Sequence, residues 1–510
     1  MAEVVVRDSG VTREDVIAVA RHDATIRLDN SAIEAMNSSR KHIESLAASA
    51  KPVYGVSTGF GALANRHVSL EQRAQLQKSL VRSHAAGAGN PVEREVVRAL
   101  MFLRLKTLAS GRTGARLVLA ETMAAILNAG ITPVVHEFGS LGCSGDLAPL
   151  AHCALVLMGE GEVFDASGVK RPSAEVLAEA GIAPVELREK EGLALINGTD
   201  GMLGMLILAI ADMERLCNAT DVVAAMSVEA LRGTDAVFKP ELHAPLRQHP
   251  GQAESAARML ATLKDSPIVA SHQNDDSQVQ DAYSLRCAPQ VTGAVRDTVA
   301  HARLVADREL ASSIDNPVVL PDGRVSSNGN FHGAPVAYVL DFLAIAAADL
   351  SSIAERRTDR MLDKDRSYGL PPFLADDPGV DSGMMIAQYT QAALVSENKR
   401  LAVPASVDSI PSSAMQEDHV SMGWSAARKL RQAVTNAERV AAIELMTAAR
   451  ALDLRAPLKP SPVSARVVQE LRKTVQGPGP DRFLAAEIAA SETFLRAEMD
   501  LISRTNQIFD

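Results

Sequence analysis

Four long stretches of helical pattern constrain the fold of this chain more than any other feature of its sequence. Each is too long for a strand and is apolar over much of its circumference, as are helices buried inside a bundle. They cover residues 199–231, 291–312, 336–361 and 424–452. Aromatic residues, which are enriched in strands, make up only 3% of the chain, so the sequence predicts an all-α fold.

Two polar, proline-containing stretches give soft boundaries along the chain. We expect an N-terminal helical domain over residues 1–200 that carries a glycine-rich loop. A central bundle of long helices should follow over residues 201–452, and a C-terminal helical segment over residues 453–510 should complete the bundle. Glycine- and proline-rich loops on a helical scaffold are where binding and catalytic groups usually lie.

Composition excludes several classes of function for the 510 residues. The net charge of −10 and the scarcity of aromatic residues argue against a nucleic-acid surface, which needs clustered Lys and Arg. Four cysteines without a CxxC pair, and histidines without metal-ligand spacing, predict reduced thiols and no metal site. The N-terminus lacks the pattern of a signal peptide, and the longest apolar run, residues 202–211, is about half of a bilayer span. We therefore expect a cytoplasmic protein with no membrane segment.

The loop over residues 139–150, GSLGCSGDLAPL, is the densest chemical signal. In the plainer interpretation it is a tight turn feeding a helix, with Ser144 or Asp146 as N-cap. It is neither a nucleophile elbow nor a phosphate-binding loop, because it lacks G-x-S-x-G and Gly-Lys-Ser/Thr. In the other interpretation the Gly145 nitrogen attacks the Cys143 carbonyl, since glycine permits the close approach. Loss of one water closes a five-membered imidazolone, loss of a second from Ser144 leaves an exocyclic methylidene, and Asp146 assists closure by hydrogen bonding or proton transfer.

This loop, within the longer string GSLGCSGDLAPLAH, resembles the signature of the aromatic amino-acid ammonia-lyases. The resemblance returns at residues 54–61, 83–87, 192–198, 280–286, 315–317, 330–332 and 416–422. It implies a 4-methylidene-imidazole-5-one group (MIO) formed from Cys143, Ser144 and Gly145, with no external cofactor. It also implies a homotetramer whose active sites combine loops from several subunits.

The chemistry of the family assigns roles to the matching residues. MIO captures the substrate amine and makes it a better leaving group, which is covalent catalysis. A base must then remove a proton from the β-carbon, and the resemblance implies that Tyr54 is this base. A phenol with an ordinary pKa near 10 needs surroundings that favour the phenolate. Arg286 is the expected clamp for the substrate carboxylate, because its planar fork binds two oxygens at once.

The resemblance also implies a polar wall around MIO and the substrate, formed by Tyr283, Asn197 and Gln280. We count Tyr283 among the catalytic residues, and Gln280 and Asn197 as support for the cofactor. The Asn197 amide can donate to the imidazolone oxygen, where negative charge grows when an amine adds. Phe331 resembles the residue that packs near the ring of the cofactor.

The substrate is indicated by Ser83-His84 and by Glu417, which are typical of the histidine-type members of the family. An imidazole offers one N–H donor and one acceptor, and His84 and Glu417 together can satisfy both. A phenyl ring would leave each of them unpaired at a cost of about 1–3 kcal/mol, which is a physical basis for selectivity. Glu417 is therefore expected to act in both substrate binding and catalysis.

The expected reaction is the elimination of ammonia from L-histidine to give trans-urocanate, the first step of histidine degradation. The alternatives are a related phenylalanine or tyrosine ammonia-lyase, a 2,3-aminomutase, and a non-catalytic helical scaffold that keeps only the fold. Cys143 stands where most relatives have Ala and becomes a ring substituent. Asp200 stands where they have Gln, and we expect both changes to be tolerated.

Overall fold

The computed structural model describes residues 2–47, 68–69, 72–273, 279–497 and 499 of the chain. Helices dominate this part of the chain, with only a few small strands, so the predicted all-α class is confirmed.

Eighteen α-helices fall within the described residues. The helices are α1 (Arg13–Arg21), α2 (Asn30–Ala47), α3 (Arg73–His84), α4 (Arg94–Ala109), α5 (Leu117–Asn128), α6 (Leu147–Leu157), α7 (Ser173–Glu179), α8 (Glu191–Ile196), α9 (Asp200–Ala230), α10 (Pro250–Leu263), α11 (Pro267–Ala270), α12 (Tyr283–Arg286), α13 (Ala288–Leu310), α14 (Ala334–Leu362), α15 (Met385–Leu401), α16 (Gly423–Asp453), α17 (Pro462–Leu471) and α18 (Leu484–Ala497). Short 3-10 turns occur at Ala236–Phe238, Pro240–Leu242, Pro372–Leu374 and Ser413–Met415.

Short strands lie between the helices and pair into four small sheets in the described ranges. The strands are β1 (Glu3–Val6), β2 (Thr25–Leu28), β3 (Ala88–Pro91), β4 (Thr132–Pro133), β5 (His136–Phe138), β6 (Glu162–Phe164), β7 (Lys170–Pro172), β8 (Val318–Val319) and β9 (Val325–Ser326). The β1–β2 pair is parallel, with Glu3 opposite Thr25, and the pairs β3–β5, β4–β6, β6–β7 and β8–β9 are antiparallel. They are too short to form a core of their own.

The four long apolar stretches form α9, α13, α14 and α16, each within three residues of the predicted ends. Their burial explains the pattern, because a helix surrounded by others needs apolar side chains on every face. Close packing also selects small residues. A Cβ at Gly201 in α9 would lie 2.5 Å from the Trp424 ring, so only glycine lets the indole pack there.

The chain forms two compact units. The first comprises Met1–Leu208, Arg303–Asp341 and Pro404–Arg428, and the second comprises Ala209–Ala302, Phe342–Val403 and Lys429–Asp510. Four of the five unit boundaries fall inside α9, α13, α14 and α16, and the fifth lies between Val403 and Pro404, after α15. The units are therefore discontinuous in sequence, whereas the sequence analysis divided the chain into consecutive segments, and that three-part division stays a prediction.

One helix in the described part of the chain, α14, is long and apolar enough to cross a membrane. However, 67% of its most apolar window is buried inside the protein. A core helix of a bundle passes the same test of length and composition, so α14 gives no reason to assign a membrane span.

The first unit positions the glycine-rich loop by packing three helices together. Helix α6 packs against both α3 and α8, and α3 also packs against α8. The loop enters α6 directly, α3 ends at His84, and α8 ends just before Asn197. Residues that were predicted to share a site therefore lie at the ends of three helices that contact one another.

Candidate active site

The glycine-rich loop is bent at Gly145, whose φ of +78° lies in the left-handed region. The next residue continues the bend, since the Asp146 backbone N–H donates to the Gly198 carbonyl oxygen at 2.7 Å. A Cβ at position 145 would lie 2.1 Å from that same oxygen. Both the dihedral angle and the close approach require glycine here.

The Ser144 hydroxyl contacts a carboxyl from a distant part of the chain. Its Oγ lies 2.8 Å from Oε1 of Glu417, although the two residues are 273 positions apart. The other carboxyl oxygen accepts a hydrogen bond from the Ser412 hydroxyl at 2.9 Å. The backbones of Ser412 and Glu417 also pair, which fixes the carboxyl in place. The reactive centre of the loop thus faces a positioned carboxyl group.

Asp146 occupies the N-cap position of α6, but its side chain does not cap the helix. The carboxyl is fully buried, accepting from the Ser140 hydroxyl at 2.9 Å and from the Met202 backbone N–H at 2.9 Å. Burial raises the pKa of Asp146 to about 7, and the nearby charge of Asp200 adds to this rise. Asp146 is therefore the N-cap residue by position, as the plainer interpretation expected, but its oxygens tie the loop to the start of α9 and do not cap α6.

Cys143 is buried, with 7% of its surface exposed. Burial raises the pKa of the Cys143 thiol to about 12, and the negative charge of Glu417 contributes to the rise. The thiol therefore stays protonated near neutral pH and is a poor nucleophile. This is compatible with the expected role of Cys143 as a ring substituent.

Asn197 brings an unpaired polar group to the loop. The residue is 4% exposed and follows the last turn of α8, next to Gly198. Its Oδ1 is buried and has no hydrogen-bond partner among the described residues. An unpaired buried amide oxygen costs about 1–3 kcal/mol, and this atom is available to a further group.

His84 ends α3 and is half-buried. Its Nδ1 lies 2.8 Å from the Leu80 carbonyl oxygen, which can only accept, so Nδ1 carries the proton. Burial lowers the pKa of His84, while the contact with Leu80 and the charge of Glu417 oppose this shift. The neutral ring therefore presents Nε2 as an acceptor. Ser83, the other predicted substrate contact, is exposed, and its hydroxyl donates to Leu80 at 3.0 Å.

The segment that contains Phe331 lies beside the glycine-rich loop. The Gly333 backbone N–H donates to the Gly142 carbonyl oxygen at 3.3 Å, and the Ser421 hydroxyl donates to the same oxygen at 2.7 Å. Phe331 itself is half-buried. Its predicted packing against the ring of the cofactor stays a prediction.

An ion pair beneath the loop was missed by the sequence analysis. Arg104 and Asp200 form a salt bridge with side chains that are 1% and 7% exposed, and Arg104 also donates to the Ala194 carbonyl oxygen at 3.1 Å. Asp200, regarded above as a tolerated replacement, is thus the counter-ion of a buried arginine. Burial also lowers the pKa of nearby Lys106 to about 8. The available signal was the presence of four cations within the largely apolar helix α4, namely Arg94, Arg98, Arg104 and Lys106.

Three predicted residues lie in the second unit, and one lies outside the described residues. Arg286 places its guanidinium 4.6 Å from the centroid of the Tyr283 ring and donates from Nε to the Asp281 carbonyl oxygen at 3.0 Å. Tyr283 is 71% exposed, and Gln280 is exposed as well. Tyr54, the predicted base, falls outside the described residues. The roles of these four residues stay predictions.

No group of three or more His, Cys, Asp or Glu side chains that could hold a metal ion occurs within the described ranges. The groups that the first unit offers are a carboxyl at a serine hydroxyl, a neutral histidine, a buried amide and a buried carboxyl of raised pKa.

The helical fold and the glycine-rich loop agree with the lyases that the sequence motifs resemble. The chain belongs to the aromatic amino acid lyase family, whose family model matches residues 11–473. The family predicted from the motifs is confirmed.

Curated relatives resemble the chain along nearly its whole length. It is 70% identical over 497 residues to the histidine ammonia-lyase of Streptomyces avermitilis, with 97% of each protein covered. It is 69% identical over 499 residues to the histidine ammonia-lyase of Streptomyces griseus, again with 97% of each covered.

Solved structures share the fold. A tyrosine aminomutase from Streptomyces globisporus is 39% identical, with a TM-score of 0.92 and 98% of each chain covered. The histidine ammonia-lyase of Trypanosoma cruzi is 37% identical, with a TM-score of 0.91, and the match covers 99% of this chain and 95% of that one.

Proposed function

We propose that this chain eliminates ammonia from L-histidine to give trans-urocanate, the first step of histidine degradation, with an MIO group formed from its own Cys143, Ser144 and Gly145. The observation that carries the proposal is the contact between the Ser144 hydroxyl and Glu417, 2.8 Å apart in a loop that only glycine can close. Identities of 69–70% to histidine ammonia-lyases agree with this substrate and with a carbon–nitrogen lyase.

The residues around the loop fit such a group. When formed, MIO supplies an electrophile that makes the substrate amine a better leaving group. The amide of Asn197 has one end buried without a partner, and its oxygen and nitrogen can exchange places by rotation of the amide. Rotated in this way, the amide donates to an oxygen that gains negative charge during the reaction. Asp146 holds the loop against α9.

Selectivity for a histidine side chain follows from His84 and Glu417. His84 presents Nε2 as an acceptor, because its Nδ1 is committed to Leu80. With His84 as an acceptor, the pair supplies one donor and one acceptor, as the sequence indicated, only when Glu417 carries a proton. The pair suits an imidazolium with two N–H groups, or a neutral imidazole when the Glu417 carboxyl carries a proton. A phenyl ring offers neither acceptor a hydrogen.

The remaining roles are assigned by the family chemistry. Tyr54 removes the β-proton, Arg286 binds the substrate carboxylate, and Tyr283 and Gln280 complete the polar wall. The guanidinium of Arg286 lies over the Tyr283 ring, which holds it in a defined orientation. The fork of Arg286 retains donors for a carboxylate beyond the one bonded to Asp281.

We further propose that the protein is a cytoplasmic homotetramer with shared active sites. In the second unit, Phe342 and Ile345 of α14 are 48% and 47% exposed, and Ile386 and Tyr389 of α15 are 56% and 61% exposed. On each helix the two residues are three positions apart and therefore share one face. Exposed apolar faces of this kind are typical of protein–protein contacts. Light scattering should give a molar mass four times that of the chain.

A second candidate, a tyrosine lyase or 2,3-aminomutase, is favoured by the resemblance to a tyrosine aminomutase of known structure. Incubation of the protein with L-histidine, L-tyrosine and L-phenylalanine separates the possibilities. Urocanate is the expected product. Coumarate or cinnamate without urocanate would refute the histidine assignment, and a β-amino acid with no ammonia would identify a mutase.

The MIO proposal is tested by the mass of the intact chain. The mature chain should be lighter than its sequence by two water molecules, and Ser144→Ala should abolish both this deficit and turnover. Ser167→Ala serves as a control, because it removes an exposed hydroxyl in the turn between β6 and β7, away from the glycine-rich loop in sequence. Retention of most activity in Ser144→Ala would contradict the proposal.

A further inference from the structure

The contact between Ser144 and Glu417 involves a hydroxyl that the proposed MIO chemistry must remove. Ser144 loses its Oγ when the exocyclic double bond forms, so this hydrogen bond belongs to the chain before maturation. Its 2.8 Å length is ordinary for a hydroxyl and a carboxyl. A contact that the reaction itself destroys points to a role in that reaction.

We propose that Glu417 is the acid that protonates the Ser144 hydroxyl as it departs, so that the maturation of the chain depends on Glu417 as well as its turnover. The inference rests on the proposed function. Hydroxide is a poor leaving group, whereas water leaves readily once the oxygen has received a proton, which is general acid catalysis.

The step balances with atoms that the chain supplies. The Cα–H and Cβ–Oγ bonds of Ser144 break and the Cα–Cβ double bond forms. The proton from Glu417 goes to Oγ, which departs as water, and the Cα proton passes to solvent. The Glu417 carboxylate then takes one proton back from solvent, so the net change is the loss of one water.

Neighbouring groups in the first unit are less suited to this proton transfer. The oxygens of Asp146 accept from Ser140 and from the Met202 backbone, so both are committed away from Ser144. The ring proton of His84 lies on Nδ1, which faces the backbone.

Glu417 divides its two oxygens between two serines. Its Oε2 accepts from Ser412, and its Oε1 faces Ser144. In the ionised state that raises the pKa of Cys143, Glu417 accepts at Oε1 from the Ser144 hydroxyl. Once the carboxylate has taken a proton from solvent, the same contact lets the carboxyl donate to Oγ.

The same carboxyl acquires a second use when maturation is complete. Once the Ser144 oxygen has departed, Oε1 of Glu417 has lost that partner and can accept from the substrate ring. Oε1 of Glu417 therefore becomes available to the substrate only after the electrophile is complete.

The test follows the mass of the full-length chain during cell-free synthesis, with samples quenched over time. In Glu417→Gln, which keeps the shape but carries no acidic proton, we expect loss of the second water to slow about a hundredfold, the scale of general acid catalysis. A species lighter by a single water should accumulate. Glu417→Asp should mature at an intermediate rate, and Asp418→Asn, which removes an adjacent exposed carboxyl, should mature like the unmodified chain.

Each outcome bears on the inference separately from the proposed function. A Glu417→Gln chain that loses both waters as fast as the unmodified chain would overturn the role of Glu417 and leave the MIO proposal intact. An unmodified chain that loses no water would overturn both. If circular dichroism shows that Glu417→Gln is unfolded, Glu417→Asp decides, since its carboxyl is shorter by one methylene, and unchanged maturation of a folded Glu417→Asp would refute the inference.

Discussion

Replacement of the buried Asp146 by Asn should change how stability depends on pH. The free energy of unfolding of the variant minus that of the unmodified chain should be larger at alkaline than at acidic pH. The exchange keeps the size of the side chain and removes its charge. The new amide can accept from the Met202 N–H and donate to Ser140, whose own hydroxyl can turn to the Gly145 carbonyl oxygen 3.5 Å away. The pH dependence of the variant therefore reports on the ionisation of one carboxyl.

The size of the effect follows from the pKa. Burial raises the pKa of Asp146 from its ordinary value of 3.8 to about 7, so the folded chain holds this proton more tightly than the unfolded chain does. The free energy of unfolding is therefore highest below the unfolded pKa and falls as the pH rises to the folded one. At 1.36 kcal/mol per pKa unit, the full loss is about 4 kcal/mol, of which about 2.5 kcal/mol falls between about pH 5 and about pH 8.

Urea unfolding followed by circular dichroism measures this difference. The free energy of unfolding of Asp146→Asn minus that of the unmodified chain should rise by about 2.5 kcal/mol between about pH 5 and about pH 8. Other titrating groups are common to both proteins and cancel in the difference. Asp418→Asn, which removes an exposed carboxyl, is the matched control for the loss of a negative charge. A flat difference for Asp146→Asn would refute the argument that burial holds the proton.

Three further perturbations test the scaffold and the substrate contact. Gly198→Ala places a methyl group 1.6 Å from Nη2 of Arg104, so it should lower the free energy of unfolding in urea by about 3 kcal/mol or more by breaking the ion pair. Arg104→Met leaves Asp200 buried without its partner and should lower the free energy of unfolding by about 3–5 kcal/mol. Adding Asp200→Leu should recover part of this loss. Simple additivity of the two substitutions in a double-mutant cycle would contradict the coupling. His84→Leu removes the Nε2 acceptor and should lower kcat/KM for L-histidine about ten- to a hundredfold in an absorbance assay of urocanate. The two-water mass deficit should be unchanged. Unaltered kinetics would exclude His84 from substrate recognition.

Much of the fold could be predicted from local pattern. The stretch at residues 199–231 predicted α9 because apolar residues on every face leave a helix no stable place except a bundle interior. The strands were not predicted, since segments of two to four residues such as β8 carry too little alternation to be recognised. Nor could the sequence show that α9 begins in one compact unit and ends in the other, because the units are defined by contacts between distant segments.

The candidate site likewise contains features that local sequence predicted and features that depend on distant contacts. Gly145 was predicted from its own chemistry, because a missing Cβ matters wherever the backbone approaches closely. Asp146 was predicted as an N-cap and lies at that position, but its side chain does not cap the helix, because Ser140 and the start of α9 occupy its oxygens. The ion pair of Arg104 and Asp200 joins residues 96 positions apart and leaves no periodic trace in the sequence.

The sequence by itself determined the helical class, the family and the three residues that can close a ring, since each depends on side-chain pattern over short spans or on backbone chemistry within one loop. Only the tertiary structure decided which carboxyl contacts the Ser144 hydroxyl and which ring nitrogen of His84 carries the proton. It also decided that burial raises the pKa of Asp146. These properties arise from burial and from contacts between segments as far as 273 residues apart, where removal of water sets the protonation of each group.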